Sequence, residues 1–339
     1  MKKAVLTQTY NLQPVQSIDN RYPTKHYEMR QPTVCAVVGT RGGGKSHAMS
    51  RLLLEAKKNN TFDEVFLISP TAQSNAQYWR GLIDPEFMFE ADRDAIDKVV
   101  AAAEAIKDEY EKFLKDREDY KEFNKKLNSK KGFSAEDAEY FEALGLFDHP
   151  EPPVYRYKKV QAPRFALILD DCLSSEAMLK STNKNNINSI ATTNRHLCPL
   201  KEPEGNRSAC GIAVFMLIQS YKSMGNISRQ TREQVTDLFL FQNKQQQQMK
   251  SIKEEILSNL NEEQFDMAYN YSTSKPYGFL WISFNPSCPT LTYRSGLTEL
   301  LIFQDQMEKC VCDKSTKTKM KRKLIDVPKS ETITENEDS

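Results

Sequence analysis

The stretch Thr33-Val-Cys-Ala-Val-Val-Gly-Thr-Arg-Gly-Gly-Gly-Lys-Ser46 decides how the rest of the chain is read. Its first six residues, Thr33–Val38, form an apolar run rich in β-branched residues, as expected of a strand buried on both faces. Gly39–Ser46 then matches the pattern G-x-x-x-x-G-K-[ST]. Behind it, His47–Lys58 places Met49, Leu52, Leu53 and Ala56 at helical spacing. Strand, glycine loop and helix in that order make a phosphate cradle. The glycines let the backbone turn tightly and aim N–H groups at an anion, and the helix adds its positive end. Gly39, Thr40, Arg41, Gly42, Gly43, Gly44 and His47 supply the cradle in this reading. Lys45 reaches the β- and γ-phosphates and Ser46 holds Mg²⁺ through its hydroxyl, so ATP and Mg²⁺ are the expected ligands. The competing reading is a glycine turn with an incidental lysine, which the flanking strand and helix disfavour.

Further strand signals fall at Glu64–Ser69, Arg164–Asp170, Gly211–Ile218, Asp237–Phe241 and Gly278–Phe284, with helical stretches between most of them. That alternation predicts an α/β fold of the P-loop NTPase kind, with a mostly parallel central sheet and helices on both faces. The run Phe165–Asp170 ends in a carboxylate followed by another, Asp171. A buried strand ending in an acid can hold Mg²⁺ partly through water, the role expected of Asp170. Asp171 stands where a general base polarises an attacking water. Plain turn chemistry is the alternative for such an acid pair. Gln219, directly after Ile212–Ile218, is a weaker candidate to sense the γ-phosphate or orient water.

The remaining composition sets limits. Of 339 residues, 47 are Lys or Arg and 46 Asp or Glu, so a net charge of +1 argues against a wholly basic nucleic-acid binder. Hydrophobic residues at 39% suffice for a core. No apolar run approaches the roughly 18 residues of a membrane span. Seven scattered cysteines read as reduced thiols, and with no secretory leader apparent the expectation is an intracellular, soluble protein. Residues 1–31 read as an N-terminal arm, 32–308 as the main domain and 309–339 as a polar, disordered tail with a basic run, Lys314–Lys323. That run is either a solvated tail, a DNA contact or a nuclear-localisation signal. Cys310 and Cys312 lack zinc-ligand spacing. Cys35 and Cys172 read as small buried groups, and Trp79 and Trp281 as core or interface packing.

Residues 90–146 interrupt the α/β pattern. Ile96, Val99, Ala103, Ile106, Tyr110, Phe113, Tyr120 and Leu127 follow alternating three- and four-residue steps, with Arg117 and Asn124 in the gaps. The spacing predicts a long helix, a turn near Lys130–Ser134 and a second helix capped by Ser134. The segment is either a charged hairpin packed on the body or an arm for a partner or DNA.

Taken together, the phosphate loop, Asp170-Asp171, Thr193-Asn194-Arg195-His196 ahead of a strand, Gln219 after it and the late Tyr277-Gly-Phe-Leu280 resemble the FtsK–HerA superfamily. These are additional-strand P-loop ATPases, and the resemblance is to the DNA-packaging enzymes of large DNA viruses, virophages and polinton-like viruses. It covers roughly residues 32–86 and 160–290. It implies that Gln219 is the sensor glutamine and that Arg195 is an arginine finger completing a neighbour's site, with Arg207, Arg229 and Arg232 as competitors. His196 is expected to be a hydrogen-bonded structural histidine. Where bacterial members often carry glutamate, Asp171 is one methylene shorter. The expected partners are double-stranded DNA read without sequence preference, further copies of the chain in a ring, and a capsid or portal-vertex protein, at the assembly site in an infected cell. The rival readings are a cellular translocase or helicase of the same superfamily, a non-hydrolysing nucleotide-dependent scaffold, and a small-molecule kinase.

Overall fold

The computed structural model describes residues 21, 29–71, 79–172, 175, 185–205, 207–221, 227–243, 246–257, 261–286 and 288–303. The basic run Lys314–Lys323, the acidic end and nearly all of the N-terminal arm lie outside these residues. The strands are β1 (Val34–Val38), β2 (Glu64–Ile68), β3 (Met88–Phe89), β4 (Phe165–Asp170), β5 (Pro199–Glu204), β6 (Arg207–Ala209), β7 (Ile212–Ile218), β8 (Asp237–Phe241), β9 (Phe279–Ser283), β10 (Tyr293–Ser295) and β11 (Glu299–Leu301). The α-helices are α1 (Lys45–Asn59), α2 (Ala95–Leu127), α3 (Ala135–Ala143), α4 (Ile187–Thr193), α5 (Arg229–Arg232), α6 (Gln246–Ile256) and α7 (Glu262–Thr273).

Nine strands form one sheet in the order β11-β10-β9-β8-β1-β7-β4-β2-β3. From β8 to β3 the pairings are all parallel. The β8–β9, β9–β10 and β10–β11 pairings are antiparallel. The expected α/β architecture is therefore present, with an antiparallel flank. One strand, β7, stands between β1, which leads into the glycine loop, and β4, which ends in Asp170; this is the additional strand that the resemblance implies. Every residue of β1, β4, β7 and β8 is buried, as their unbroken apolar runs require of strands covered on both faces. Burial of each Val, Leu, Ile or Phe there contributes roughly 1.5–3 kcal/mol. Because β1, β7 and β4 run parallel, their C-terminal ends come out together on one edge of the sheet, and the loops at that edge form the site.

The interrupting segment divides in two. Ala95, Ile96, Val99, Ala103 and Ile106 belong to the main core cluster, so the first turns of α2 are part of the body. Beyond Phe113 the seam departs from the expected one. Leu127 is 55% exposed and Tyr120 half-buried, whereas Phe123 is 2% exposed. The reason is a local aromatic core: Phe123 meets Phe133, Phe141 and Phe147 at centroid separations of 5.2–5.4 Å. The distal half of α2 thus faces α3 rather than the sheet, and a different side of the helix is buried. The expected cap is present: Ser134 Oγ accepts from Asp137 N–H at 3.1 Å and Ser134 N–H donates to Asp137 at 3.1 Å. Among the described residues, no helix is long and apolar enough to cross a membrane.

Candidate nucleotide-binding site

The glycine loop joins β1 to α1 at the strand-end edge. Gly44 caps α1 at φ 98°, a left-handed conformation that glycine adopts without steric cost. Gly39 N–H donates to Ile218 O (3.1 Å), Gly43 N–H to Thr40 O (3.0 Å) and Ala48 N–H to Gly44 O (2.8 Å). Lys45 is buried, and its ammonium donates to the carbonyls of Gly39 (3.0 Å) and Thr40 (3.3 Å). Burial pushes its pKa down, and the carboxylates of Asp171 and then Asp170 pull it back up. A cation already desolvated and aimed along the loop pairs strongly with a phosphate.

Asp170 is 7% exposed at the end of β4, and Ser46 Oγ donates to both its carboxylate oxygens at 3.4 Å. Burial, reinforced by Asp171 next door, raises its pKa to about 6, against the opposing pull of Lys45 and Ser46. A hydroxyl and a carboxylate in contact form the hard-oxygen pair that suits a small divalent cation, with phosphates and water supplying the other ligands. Among the described residues, no group of three or more His, Cys, Asp or Glu could hold a metal by itself.

Asp171 is exposed and sits at φ 50°. Aspartate tolerates the left-handed region better than most residues, but the conformation still costs about 1 kcal/mol. Its N–H donates to Leu217 O at 3.4 Å, which fastens it to the end of β7. Gln219 follows two residues later and is exposed. Since Ile218 O accepts from Gly39 N–H, Gln219 emerges between the start of the loop and the acid pair. A cavity of about 500 Å³ joins Arg41–His47, Asp170 and Asp171 with Trp79 and Tyr277. Sequence reasoning placed Trp79 in packing; it is 1% exposed and also lines this cavity. Tyr277 entered only as part of a motif, and its signal was an aromatic in a Pro-Tyr-Gly turn.

Arg195 stands elsewhere. Its neighbour Asn194 accepts from Ile212 N–H (2.8 Å) and donates to Pro32 O and Thr33 O (3.4 Å each), at the starts of β7 and β1. Arg195 therefore lies at the strand-start edge, a strand length of roughly 20 Å from its own phosphate loop. It is exposed, and among the described residues none pairs with it. The competing arginines are engaged. Arg207 is buried, donating to the carbonyls of Ala162, Pro163 and Cys210. Arg232 pairs with Glu255 at 2.8 Å, and Arg229 with Glu233 at 2.9 Å on its own helix. His196 is exposed beside Arg195.

No family model matches the chain, and no curated protein does. Solved structures do. The genome packaging NTPase B204 of Sulfolobus turreted icosahedral virus 2, in complex with ATP-gammaS, is 11% identical, with 78% of this chain and 97% of that one covered at a TM-score of 0.36. EssC (ATPases 2 and 3) from Geobacillus thermodenitrificans is 13% identical, with 95% of this chain and 52% of that one covered at 0.38. The pCW3 conjugation coupling protein TcpA with ATPgS is 13% identical, with 86% and 66% covered at 0.39. At such scores the likeness adds no weight to a functional argument, and the P-loop NTPase fold of this chain rests on its own strand order and phosphate loop.

Proposed function

We propose that the chain is an ATP-hydrolysing subunit of a ring motor that drives double-stranded DNA into a viral capsid. The observation that carries the ATPase part is the meeting of Lys45, Ser46, Asp170 and Asp171 around one cavity, with Gln219 emerging beside them. In this reading the Lys45 ammonium leaves the carbonyls of Gly39 and Thr40 for the β- and γ-phosphates. Asp171 accepts the proton of the attacking water, and Gln219 orients that water. Ser46 and Asp170 would hold Mg²⁺, which when bound would supply charge neutralisation on the phosphates. Arg195, exposed, paired with none of the described residues and far from its own loop, is read as the group that stabilises charge in a neighbour's site, and this makes the ring part of the mechanism. The motif resemblance supports DNA as the track, the capsid or portal vertex as the docking partner, and the infected cell's assembly site as the location.

Phosphate release by the full chain, with and without linear duplex DNA, tests the proposal. Mg²⁺-dependent turnover stimulated by any duplex sequence, and falling steeply with salt, is expected, since a motor grips phosphates rather than bases. Turnover indifferent to DNA would contradict the motor, and no turnover at all would leave a nucleotide-dependent scaffold. For the finger, Arg195→Ala and Lys45→Ala subunits are each inactive alone and regain part of the activity when mixed. Mixtures that stay inactive after demonstrated subunit exchange would remove Arg195 from the trans role.

A further inference from the structure

The cavity has two flanks. Asp170 and Asp171 sit on the β4 side of the loop, and Tyr277 sits on the β8–β9 side, just before β9. If the acids mark the end of the nucleotide that reacts, the ribose and base extend toward the other flank. There Tyr277 is 70% exposed, yet it packs closely: a Cβ built on Gly44 would lie 3.2 Å from Tyr277 Cβ and Cδ1.

The backbone at Tyr277 is unusual. Gly278 N–H donates to Lys275 O (3.0 Å), closing a turn with Pro276 and Tyr277 at its centre. Tyr277 has φ 61°, a left-handed value at a turn position that glycine ordinarily fills. Glycine is instead at 278, where a Cβ would lie 2.3 Å from Ser272 O. A bulky aromatic thus sits at a strained position, largely in solvent, on the rim of the phosphate site. Local rules broken in this way mark a functional use of the side chain.

We propose that Tyr277 is the platform on which the base of a purine nucleoside triphosphate stacks, so that the turn Lys275–Gly278 forms a base subsite beside the phosphate loop. The proposal rests on the nucleotide-binding reading above. Stacking on an aromatic face favours the larger ring system, so purine nucleotides bind more tightly than pyrimidine ones through this contact.

Binding of the non-hydrolysable analogues AMP-PNP and UMP-PNP and of inorganic tripolyphosphate, each with Mg²⁺, to wild type, Tyr277→Ala and Tyr277→Phe provides the test. In wild type, AMP-PNP binds more tightly than tripolyphosphate and UMP-PNP. Tyr277→Ala weakens AMP-PNP about ten-fold or more, leaves tripolyphosphate within two-fold, and narrows the purine preference. Tyr277→Phe keeps the wild-type pattern, because the ring face and not the hydroxyl makes the contact. Equal loss of AMP-PNP and tripolyphosphate in Tyr277→Ala would make Tyr277 a brace of the loop and overturn the proposal. No loss in that variant, or loss in Tyr277→Phe as large as in Tyr277→Ala, would overturn it as well. A wild type that binds neither AMP-PNP nor tripolyphosphate would instead remove the phosphate-loop reading itself. Tyr277→Gly, which suits the left-handed turn, unfolds no earlier on heating than wild type and still loses the base preference; earlier unfolding would assign the ring to packing.

Discussion

Two buried aspartates, one at each edge of the same sheet, are held in opposite ways. Asp237 opens β8 at the strand-start edge and is 2% exposed. It accepts from Thr33 Oγ1 (2.8 Å), Thr236 Oγ1 (3.0 Å) and Trp281 Nε1 (3.0 Å). Arg294 lies over the Trp281 ring at 3.9 Å, which extends the network. Asp170 ends β4 at the other edge, 7% exposed; among the described residues its hydrogen bonds are the long contacts to Ser46, with the Lys45 ammonium and the Asp171 carboxylate acting on it electrostatically. The first acid is satisfied by the protein and fastens β1, β8 and β9 together. The second is buried with a single hydroxyl donor, beside the Lys45 ammonium. A buried carboxylate with so few donors is costly, which suits a position that a ligand completes.

The largest break expected in this contrast comes from Lys45→Ala, which removes a buried cation at the loop edge. Phosphate release should fall about a thousand-fold or more while the fold persists. Normal turnover would dismiss the loop as a nucleotide site. Next is Asp237→Ala, which strips three donors of their acceptor at the satisfied edge. Denaturant unfolding should show a loss of about 3 kcal/mol, with turnover of the remaining folded protein unchanged at low temperature. A large drop in turnover per folded molecule would mean that the two edges are coupled. Asp171→Asn should cut turnover by about 100-fold and leave nucleotide affinity intact. Loss of affinity with turnover preserved would instead make Asp171 a metal ligand. The smallest stability effect belongs to Asp171→Gly, which relieves the left-handed backbone and should raise stability by up to about 1 kcal/mol, with turnover cut as in Asp171→Asn.

Much of the loop edge was legible because it is written in local terms. Thr33–Lys58 carries strand, turn and helix signals within 26 consecutive residues. The four buried parallel strands around it are unbroken apolar runs. What could not be read depends on contacts between distant segments. β5 is polar and mostly exposed, so it lacks hydrophobic alternation, and β3, β6, β10 and β11 are only two or three residues long. The seam of α2 shifts to Phe123 because Phe133, Phe141 and Phe147 return to meet it, and no periodicity within α2 encodes that. Asp170 and Asp171 were legible as acids, but the raised pKa of one and the left-handed backbone of the other arise only after β7 packs beside β4. Tyr277 came into the site through the antiparallel flank, some 230 residues along the chain from the loop it touches, a separation across which local pattern carries no information.

The contrast between the two aspartates is tested most directly by thermal unfolding of the metal-free, nucleotide-free protein, comparing Asp170→Asn with Asp237→Asn across pH. The folded pKa of Asp170, about 6, lies above its ordinary value near 3.8, so the folded state holds that proton more tightly than the unfolded one. The stability it contributes is full below about pH 4 and is lost as pH rises through 6, at most about 3 kcal/mol. Asp170→Asn should therefore raise the unfolding midpoint at pH 8, show no gain at pH 4 and abolish turnover, whereas Asp237→Asn should lower the midpoint at pH 8 by several degrees. Equal destabilisation by both substitutions at pH 8 would contradict the account, because Asp170 would then be a structural acid like its counterpart.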